Sequence, residues 1–172
     1  PNLQNIPVAS ETGYDPRGVF VAPPGHKLYS FDYSQVELRL LAHMSGDKAL
    51  SEAFRNDEDI HEATARTMLG ISGRAVTPDE RRVAKTINFG VVYGQTAFGL
   101  SQSLKIPPGQ AKEFIEAYFH RYASVKHFFE TILVEARKDG YVSTLLGRRR
   151  YLPELTADNR MVREMAERAA TN

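Results

Sequence analysis

The sequence predicts a helix-rich α+β fold, in which a few short antiparallel strands accompany a larger set of helices. Through most of the chain, apolar residues recur at three- and four-residue spacing, which is typical of amphipathic helices. Gly and Pro interrupt this pattern between successive segments. Strand-like runs of β-branched and aromatic residues occur near residues 19–32 and 141–146.

Length and composition limit the class of protein. The 172 residues are 42% hydrophobic, which is enough to form one core. The net charge is only +1, so any surface that binds nucleic acid must be local. The chain has no cysteine, which excludes disulfides and thiolate metal sites. No segment approaches the run of about 18 apolar residues that crosses a bilayer, so we expect a soluble protein without a membrane partner.

The first predicted element is a pair of short antiparallel strands. Residues 19–22 (VFVA) and 28–32 (LYSFD) are separated by the turn-forming residues 23–26 (PPGH). Asp32 ends the second predicted strand, on the same face as Leu28 because side chains alternate along a strand.

A helix is predicted directly after these strands. Residues 34–37 (SQVE) fit a capping box, with Ser34 as the cap and Glu37 bonding back to the backbone of the cap. Apolar residues then recur at helical spacing. Asp32 is therefore expected at a strand-to-helix corner.

Helical periodicity, bounded by Gly and Pro, predicts six further helices. They are Lys48–Asn56, Ile60–Leu69, Pro78–Tyr93, Gly109–Arg121, Val125–Asp139 and Arg160–Arg168. Residues 141–146 lie between glycines and predict one more strand.

The helix predicted at Pro78–Tyr93 has the strongest start signal in the chain, with Thr as N-cap, Pro at the first helical position and Glu three residues after the cap. This fixes the register. Arg81, Lys85, Phe89 and Tyr93 then follow one another at four-residue intervals on one face, opposite an apolar face.

Two interpretations of this face are open from periodicity alone. It could be a solvated basic face whose aromatic residues pack beneath neighbouring elements, which is the more common arrangement. Alternatively, Arg81 and Lys85 could hold a polyphosphate while Phe89 stacks on a base.

The chain resembles family A DNA polymerases in two long motifs. Residues 32–39 (DYSQVELR) are similar to motif A, and residues 81–94 (RRVAKTINFGVVYG) are similar to motif B, the fingers helix that closes over the incoming nucleotide. Residues 1–7 (PNLQNIP), 59–61 (DIH) and 147–151 (GRRRY) resemble the same family.

The resemblance also implies an arrangement of subdomains. Residues 1–45 would belong to the palm with motif A, residues 46–123 to the fingers with motif B, and residues 124–172 would return to the palm. The chain departs from its relatives at Thr171, where they commonly have Phe. Because the chain starts at Pro1 and stops after a helical pattern, we expect a segment of a longer protein. The family's motif C carboxylate would then lie beyond Asn172.

The resemblance implies a two-metal site. Asp32 would bridge two Mg²⁺ ions together with the carboxylate outside this chain, and the carbonyl of Tyr33 would add an oxygen ligand. One ion would activate the primer 3′-hydroxyl and the other would neutralise the leaving pyrophosphate. Without the resemblance, an Asp at a strand end is more often a turn or cap residue.

The resemblance also implies how the nucleotide is bound. Arg81 and Lys85 would act on the phosphates as catalytic residues, and Phe89 would contact the base and sugar. Glu37 and Tyr93 would form a gate that excludes a 2′-hydroxyl, although Glu37 could instead serve the capping box.

Other residues have weaker assignments. By the resemblance, Gln35 would lie near the nascent pair or the triphosphate. His61 would contact the nucleotide phosphates, although alone it would be taken for a residue of a helix start. Arg82 could instead pair with a carboxylate and stabilise one position of the fingers.

Two further groups are candidate DNA contacts. Amide side chains near the start could donate to minor-groove acceptors, and a basic run late in the chain could bind the DNA backbone. These residues are Asn2, Gln4, Asn5, Arg148, Arg149 and Arg150. Alternatively, the amides form turns and the basic run is a solvated loop.

The favoured function is template-directed DNA synthesis on primer–template DNA from deoxynucleoside triphosphates, with two Mg²⁺ ions. We expect a cytoplasmic location, in a bacterial nucleoid or a phage-infected cell, with an organelle left open. We also expect the 172 residues alone to be inactive without the remaining polymerase chain. The alternatives are a non-catalytic nucleic-acid-binding remnant of the scaffold and another Mg²⁺-dependent phosphotransferase.

Overall fold

The structure, a computed structural model, describes Ile6, Gly13 and residues 15–172. These residues belong to two compact units that divide between Ser34 and Gln35. In the first unit, residues 15–34 form turns and irregular backbone. The Arg17 side chain donates to the carbonyl of Ile6 through Nε at 3.1 Å and Nη2 at 2.9 Å.

The predicted turn in the first unit is confirmed, but the two strands predicted on either side of it are wrong. The backbone amide of His26 donates to the carbonyl of Pro23 at 3.0 Å, and Gly25 has the positive φ of 79° that this turn requires. Residues 15–34 contain no strand. The apolar side chains of the predicted strands are exposed, with Phe31 91% and Val21 78% accessible, so no buried face holds them in register.

The second unit is mostly helical. Its helices are α1 (Val36–Ser45), α2 (Lys48–Arg55), α3 (Ile60–Met68), α4 (Pro78–Val92), α5 (Ala97–Leu104), α6 (Pro108–Arg121), α7 (Ala123–Asp139) and α8 (Arg160–Thr171). A short 3-10 helix spans Pro153–Thr156. Two strands, β1 (Tyr141–Ser143) and β2 (Arg149–Tyr151), pair antiparallel with Val142 opposite Arg150.

The predicted α+β, helix-rich fold class is confirmed. All six helices predicted after residue 46 are present, with ends that differ by at most three residues. The strand predicted at residues 141–146 is shorter than expected and pairs with a strand that was not predicted, Arg149–Tyr151. Helix α5 was also not predicted.

Three hydrophobic clusters hold the second unit together, and the smallest of them packs Ala65 of α3 and Ile71 against Ala84 of α4. The largest joins α1 through α7, and its members Leu38, Leu50, Ile60, Ile87 and Leu100 are all at most 1% exposed. The second joins the end of α7, the residue after β2, the 3-10 helix and α8. Burial of the apolar face of α4 in the largest cluster fixes the direction of its opposite face. Within residues 15–172, no helix is both long and apolar enough to cross a membrane.

Helix α4 begins as the sequence predicts. The Thr77 hydroxyl accepts from the Glu80 amide at 3.3 Å, and a Glu80 carboxylate oxygen accepts from the Thr77 amide at 2.9 Å. The Arg74 guanidinium donates to both Glu80 oxygens, at 2.6 and 2.9 Å. These bonds lower the pKa of Glu80 to about 2, with the Arg74 hydrogen bond as the largest cause.

We expect Thr77→Ala to reduce the free energy of unfolding by about 1 kcal/mol, because it removes the N-cap of α4. Urea unfolding followed by circular dichroism measures the change. The control is Thr67→Ala in α3, whose hydroxyl bonds only to the Ala63 carbonyl one turn earlier. An equal loss in both variants would contradict a specific capping role.

Candidate active site

One face of α4 carries two cations followed by two aromatic rings, as predicted. Arg81 and Lys85 are exposed, Phe89 is half-buried and Tyr93 is 45% exposed. The Phe89 and Tyr93 rings stack, with centroids 6.0 Å apart and planes 18° apart. Lys85 Nζ lies 5.9 Å from the Phe89 ring centroid. The face therefore presents positive charge next to a flat aromatic surface.

The basic residues of α4 differ in how their charge is balanced. Arg81 Nε donates to Asp59 Oδ2 at 2.7 Å, and Arg82 pairs with Asp79 of the same helix at 3.0 Å. Lys85 forms no ion pair with any carboxylate in residues 15–172. Its charge is thus the least neutralised of the three.

Asp59 connects the start of α3 to this face. Its Oδ1 accepts from the amides of His61 and Glu62, so it caps α3, while its Oδ2 accepts from Arg81. Burial alone would raise the pKa of Asp59, but the hydrogen bonds from Arg81 and the Glu62 amide outweigh it and lower the pKa.

A cleft of about 610 Å³ runs along α4 and the start of α5. It is lined by Arg82, Lys85, Thr86, Phe89, Gly90, Tyr93, Gln95, Thr96, Gly99 and Arg168. Three of these residues are cationic and none is acidic, so the lining favours an anionic ligand. Arg81 does not line this cleft.

Sequence reasoning missed Arg168, which reaches the cleft from α8. Gly94 allows this approach: it has a positive φ of 62°, and a Cβ there would lie 3.1 Å from Cγ of Arg168. The glycine after the four-residue series was the only signal in the sequence, and it did not identify its partner.

His61 is buried, with 2% of its surface exposed, although it was predicted to contact phosphates. Its ring lies beside Phe89, with centroids 5.7 Å apart, and its Nδ1 lies 3.0 Å from Asn88 Nδ2. Burial lowers the pKa of His61; Asp59 opposes this shift, and Arg81 and Lys85 add to it. The imidazole is therefore neutral at pH 7.

We expect the free energy of unfolding to decrease as the pH falls below 6.5, the ordinary pKa of histidine. The unfolded chain then binds a proton that folded His61 resists, and the loss continues until the pH passes the folded pKa. Urea unfolding between about pH 5 and 7.5 measures this slope.

His61→Gln should flatten the slope, whereas His127→Gln, at an exposed position of α7, should retain the contribution of His61. An unchanged slope in His61→Gln would contradict the assignment.

Glu37 and Tyr93 meet as the gate interpretation requires. Tyr93 Oη donates to Glu37 Oε1 at 3.4 Å, and partial burial followed by the Glu37 charge raises the pKa of Tyr93. The capping box predicted for α1 is wrong. Gln35 is the N-cap, its φ of 53° is left-handed, and it makes no side-chain capping bond. This backbone geometry differs from the extended cap on which a capping box depends.

Asp32 and Tyr33 belong to the first unit, where both side chains are exposed. Gln35 begins the second unit and is half-buried. In the part of the chain that the structure describes, no three His, Asp or Glu side chains lie close enough together to hold a metal ion. An exposed carboxylate next to a backbone carbonyl suits Mg²⁺, which prefers hard oxygen ligands, but it supplies only part of a ligand set.

The basic run lies on the β1–β2 hairpin, and all three arginines are exposed. Arg149 covers the Tyr141 ring at 4.5 Å from its centroid. Because side chains alternate along β2, Arg150 lies on the opposite face from Arg149, and the run does not form one surface. Asn2, Gln4 and Asn5 lie outside the described residues.

At Thr171, where the family resemblance predicts Phe, the hydroxyl donates to helix carbonyls of α8. It bonds to the carbonyl of Glu167 at 3.3 Å and to that of Arg168 at 3.2 Å. The side chain is half-buried. The departure therefore places a hydroxyl that is satisfied within its own helix at the end of α8.

The chain is similar to bacterial DNA polymerases over its whole length. It is 53% identical over 172 residues to the thermostable DNA polymerase I of Thermus thermophilus, and 49% identical over 173 residues to DNA polymerase I of Mycobacterium tuberculosis. It covers 21% and 19% of those proteins, so it spans about a fifth of these curated relatives.

A solved structure gives the same result. The POL domain of Pol1 from M. smegmatis, in complex with DNA primer-template and dNTP, matches with a TM-score of 0.85 and 48% identity. The match covers 100% of this chain and 30% of that one. The sequence model of DNA polymerase family A matches residues 1–172. The chain therefore belongs to DNA polymerase family A.

Proposed function

We propose that this chain is the palm-and-fingers part of a template-directed DNA polymerase that adds deoxynucleotides to a primer 3′ end. The observation that carries the proposal is the α4 face, where Lys85, without a carboxylate partner in residues 15–172, lies beside the stacked rings of Phe89 and Tyr93. A nucleoside triphosphate needs this combination, because its phosphates require positive charge and its base requires a flat apolar surface.

The α4 face would orient the triphosphate. Lys85 supplies charge to the phosphates, and Arg81 adds the part of its guanidinium that does not bond to Asp59. Phe89 packs against the base and sugar. His61 donates a hydrogen bond to a phosphate oxygen.

Glu37 and Tyr93 would close the space beside the sugar. Their hydrogen bond of 3.4 Å joins the start of α1 to the end of α4. A 2′-hydroxyl would then meet the Glu37 side chain. Gln35, immediately before α1, would contact the nascent pair or the triphosphate.

Asp32 and the carbonyl of Tyr33 would hold Mg²⁺ together with a carboxylate from elsewhere in the full-length protein. When bound, the ions supply charge neutralisation at the reacting phosphate and lower the pKa of the primer 3′-hydroxyl. Asp32 is exposed, and its carboxylate and the carbonyl of Tyr33 are hard oxygen ligands that suit this ion. A complete ligand cluster within the chain is not required, because Mg²⁺ is usually held by one or two carboxylates and the substrate phosphates.

The DNA would be bound by separate groups. Arg148, Arg149 and Arg150 are exposed cations that can contact backbone phosphates from the two faces of the hairpin. Residues 1–45 and 124–172 would then serve as palm and residues 46–123 as fingers.

Primer extension by the full-length protein tests the proposal. We expect incorporation of the deoxynucleotide complementary to the template, and no incorporation when Mg²⁺ is removed with EDTA. The 172-residue chain alone is expected to be inactive. DNA binding by the full-length protein without any extension would support a non-catalytic remnant instead.

A further inference from the structure

Three polar side chains form a buried chain of hydrogen bonds between α3 and α4. The Thr64 hydroxyl donates to Asn88 Oδ1 at 3.1 Å, and Asn88 Nδ2 lies 3.0 Å from His61 Nδ1. Thr64 and Asn88 are completely buried, and His61 is 2% exposed. Since buried polar groups that lose a partner are costly, each member restricts the orientation of the next.

This order of bonds determines which nitrogen of His61 carries the proton. With Oδ1 of Asn88 accepting from Thr64, the amide presents its NH₂ group to His61. Nδ1 must then accept, so the proton of the neutral ring is on Nε2. Nε2 makes no hydrogen bond to any other group in residues 15–172. The N–H group at Nε2, which is not the nitrogen that contacts Asn88, is therefore the one left to donate to a ligand.

We propose that Asn88, held by Thr64, is a positioning residue that keeps His61 as an Nε2–H donor toward the nucleotide phosphates. The inference rests on the proposed function, because it gives His61 a phosphate to bind. In this proposal the buried amide of Asn88, on the inner side of α4, orients the Nε2–H donor of His61 beside the cationic face of the same helix.

The surroundings of His61 favour a neutral donor. Burial is the main cause that lowers the pKa of His61; Asp59 at the start of α3 opposes it, and Arg81 and Lys85 on α4 add to it. The Phe89 ring lies beside the imidazole, with the two ring planes tilted by 47°. Arg81 and Lys85 can balance the charge of a triphosphate. Neutral His61 would then add one directional hydrogen bond through its N–H group, without a charge of its own.

The tautomer can be measured directly in the full-length protein labelled with ¹⁵N-histidine. Long-range ¹H–¹⁵N correlation distinguishes Nε2–H from Nδ1–H, and the His61→Gln variant assigns the signal. We expect Nε2–H in the wild type. We expect Asn88→Asp, recorded at a pH above the pKa of the ring in that variant, to move the proton of the neutral imidazole to Nδ1, because a carboxylate can only accept.

Steady-state primer extension at the same pH measures the consequence. Asn88→Asp should raise the KM for the deoxynucleotide about tenfold, a change equivalent to losing one good hydrogen bond, with a smaller effect on kcat. In a His61→Ala background, Asn88→Asp should have no further effect on KM, because Asn88 acts through His61. A residue that only supports the fold would lower activity equally in both backgrounds.

If Asn88→Asp does not fold, Thr64→Val provides a second test of the same hydrogen-bond chain. Thr64→Val removes the hydroxyl that orients the Asn88 amide, so it should raise the KM for the deoxynucleotide. Thr64→Ser keeps the hydroxyl and should have the wild-type KM. An Nδ1–H tautomer in the wild type, or a KM unaffected by both Asn88→Asp and Thr64→Val in an active enzyme, overturns the inference. Failure of the wild type to extend a primer would instead overturn the proposed function, since the tautomer measurement does not depend on it.

Discussion

Lys85→Ala is expected to slow nucleotide incorporation about 10²- to 10³-fold, the usual effect of removing one preorganised electrostatic contact from an active site. Lys85 is exposed, and it forms no ion pair with a carboxylate in residues 15–172, in contrast to Arg81 and Arg82. Its charge is thus available to a ligand. Because it lies next to the Phe89 ring, that ligand should be the incoming nucleotide and not the duplex.

Two measurements on the full-length protein separate these ligands. Single-turnover incorporation should decrease strongly, whereas the primer–template Kd should change less than about threefold, within the range of a minor contact. Lys112→Ala on α6 is the matched control, since it removes the same charge from an exposed lysine that pairs with Glu116. A collapse of DNA affinity with an unchanged nucleotide step would show that Lys85 binds the DNA.

The sequence predicted α4 accurately because the signals for this helix are local. Thr77 and Glu80 define the first turn within four residues, and the apolar spacing fixes the face that is buried. The four-residue series of Arg81, Lys85 and Phe89 then follows from helix geometry alone.

Elements that depend on distant partners were predicted less well. Helix α5 contains Gly99 and two serines, which have low helix propensity. Packing supplies its stability: Leu100 is 1% exposed, and a Cβ at Gly99 would lie 2.9 Å from Cγ of Gln95. A sequence pattern cannot show that a glycine is required by a neighbour's side chain.

In the candidate site, too, local features were predicted and contacts between distant positions were not. The residues on α4 could be identified from their spacing, but the bond from Arg81 to Asp59 joins positions 22 residues apart. The burial of His61 against Asn88 joins positions 27 residues apart. Such contacts arise when α3 packs on α4, and no local periodicity encodes them.

Glu37→Ala is expected to reduce discrimination against ribonucleotides about 10- to 100-fold, the range in which a pocket distinguishes small differences in substrate size. The Glu37 carboxylate accepts from Tyr93 Oη at 3.4 Å, so the two side chains lie side by side. Tyr93 also stacks on Phe89, the residue proposed to contact the base and sugar. Shortening Glu37 would open space where a 2′-hydroxyl would otherwise meet the carboxylate.

The alternative role of Glu37 in capping predicts a different result. A capping residue would cost about 1 kcal/mol of stability when replaced and would leave sugar selectivity unchanged. Since Gln35 begins α1 without a side-chain cap, we expect little change in the free energy of unfolding for Glu37→Ala.

The measurement is the ratio of kcat/KM for the complementary deoxynucleotide and ribonucleotide in the full-length protein, with urea unfolding of the same variants. Glu37→Gln, which preserves the size of the side chain, should retain most of the discrimination; if Glu37→Ala also retains it, the gate is not at Glu37.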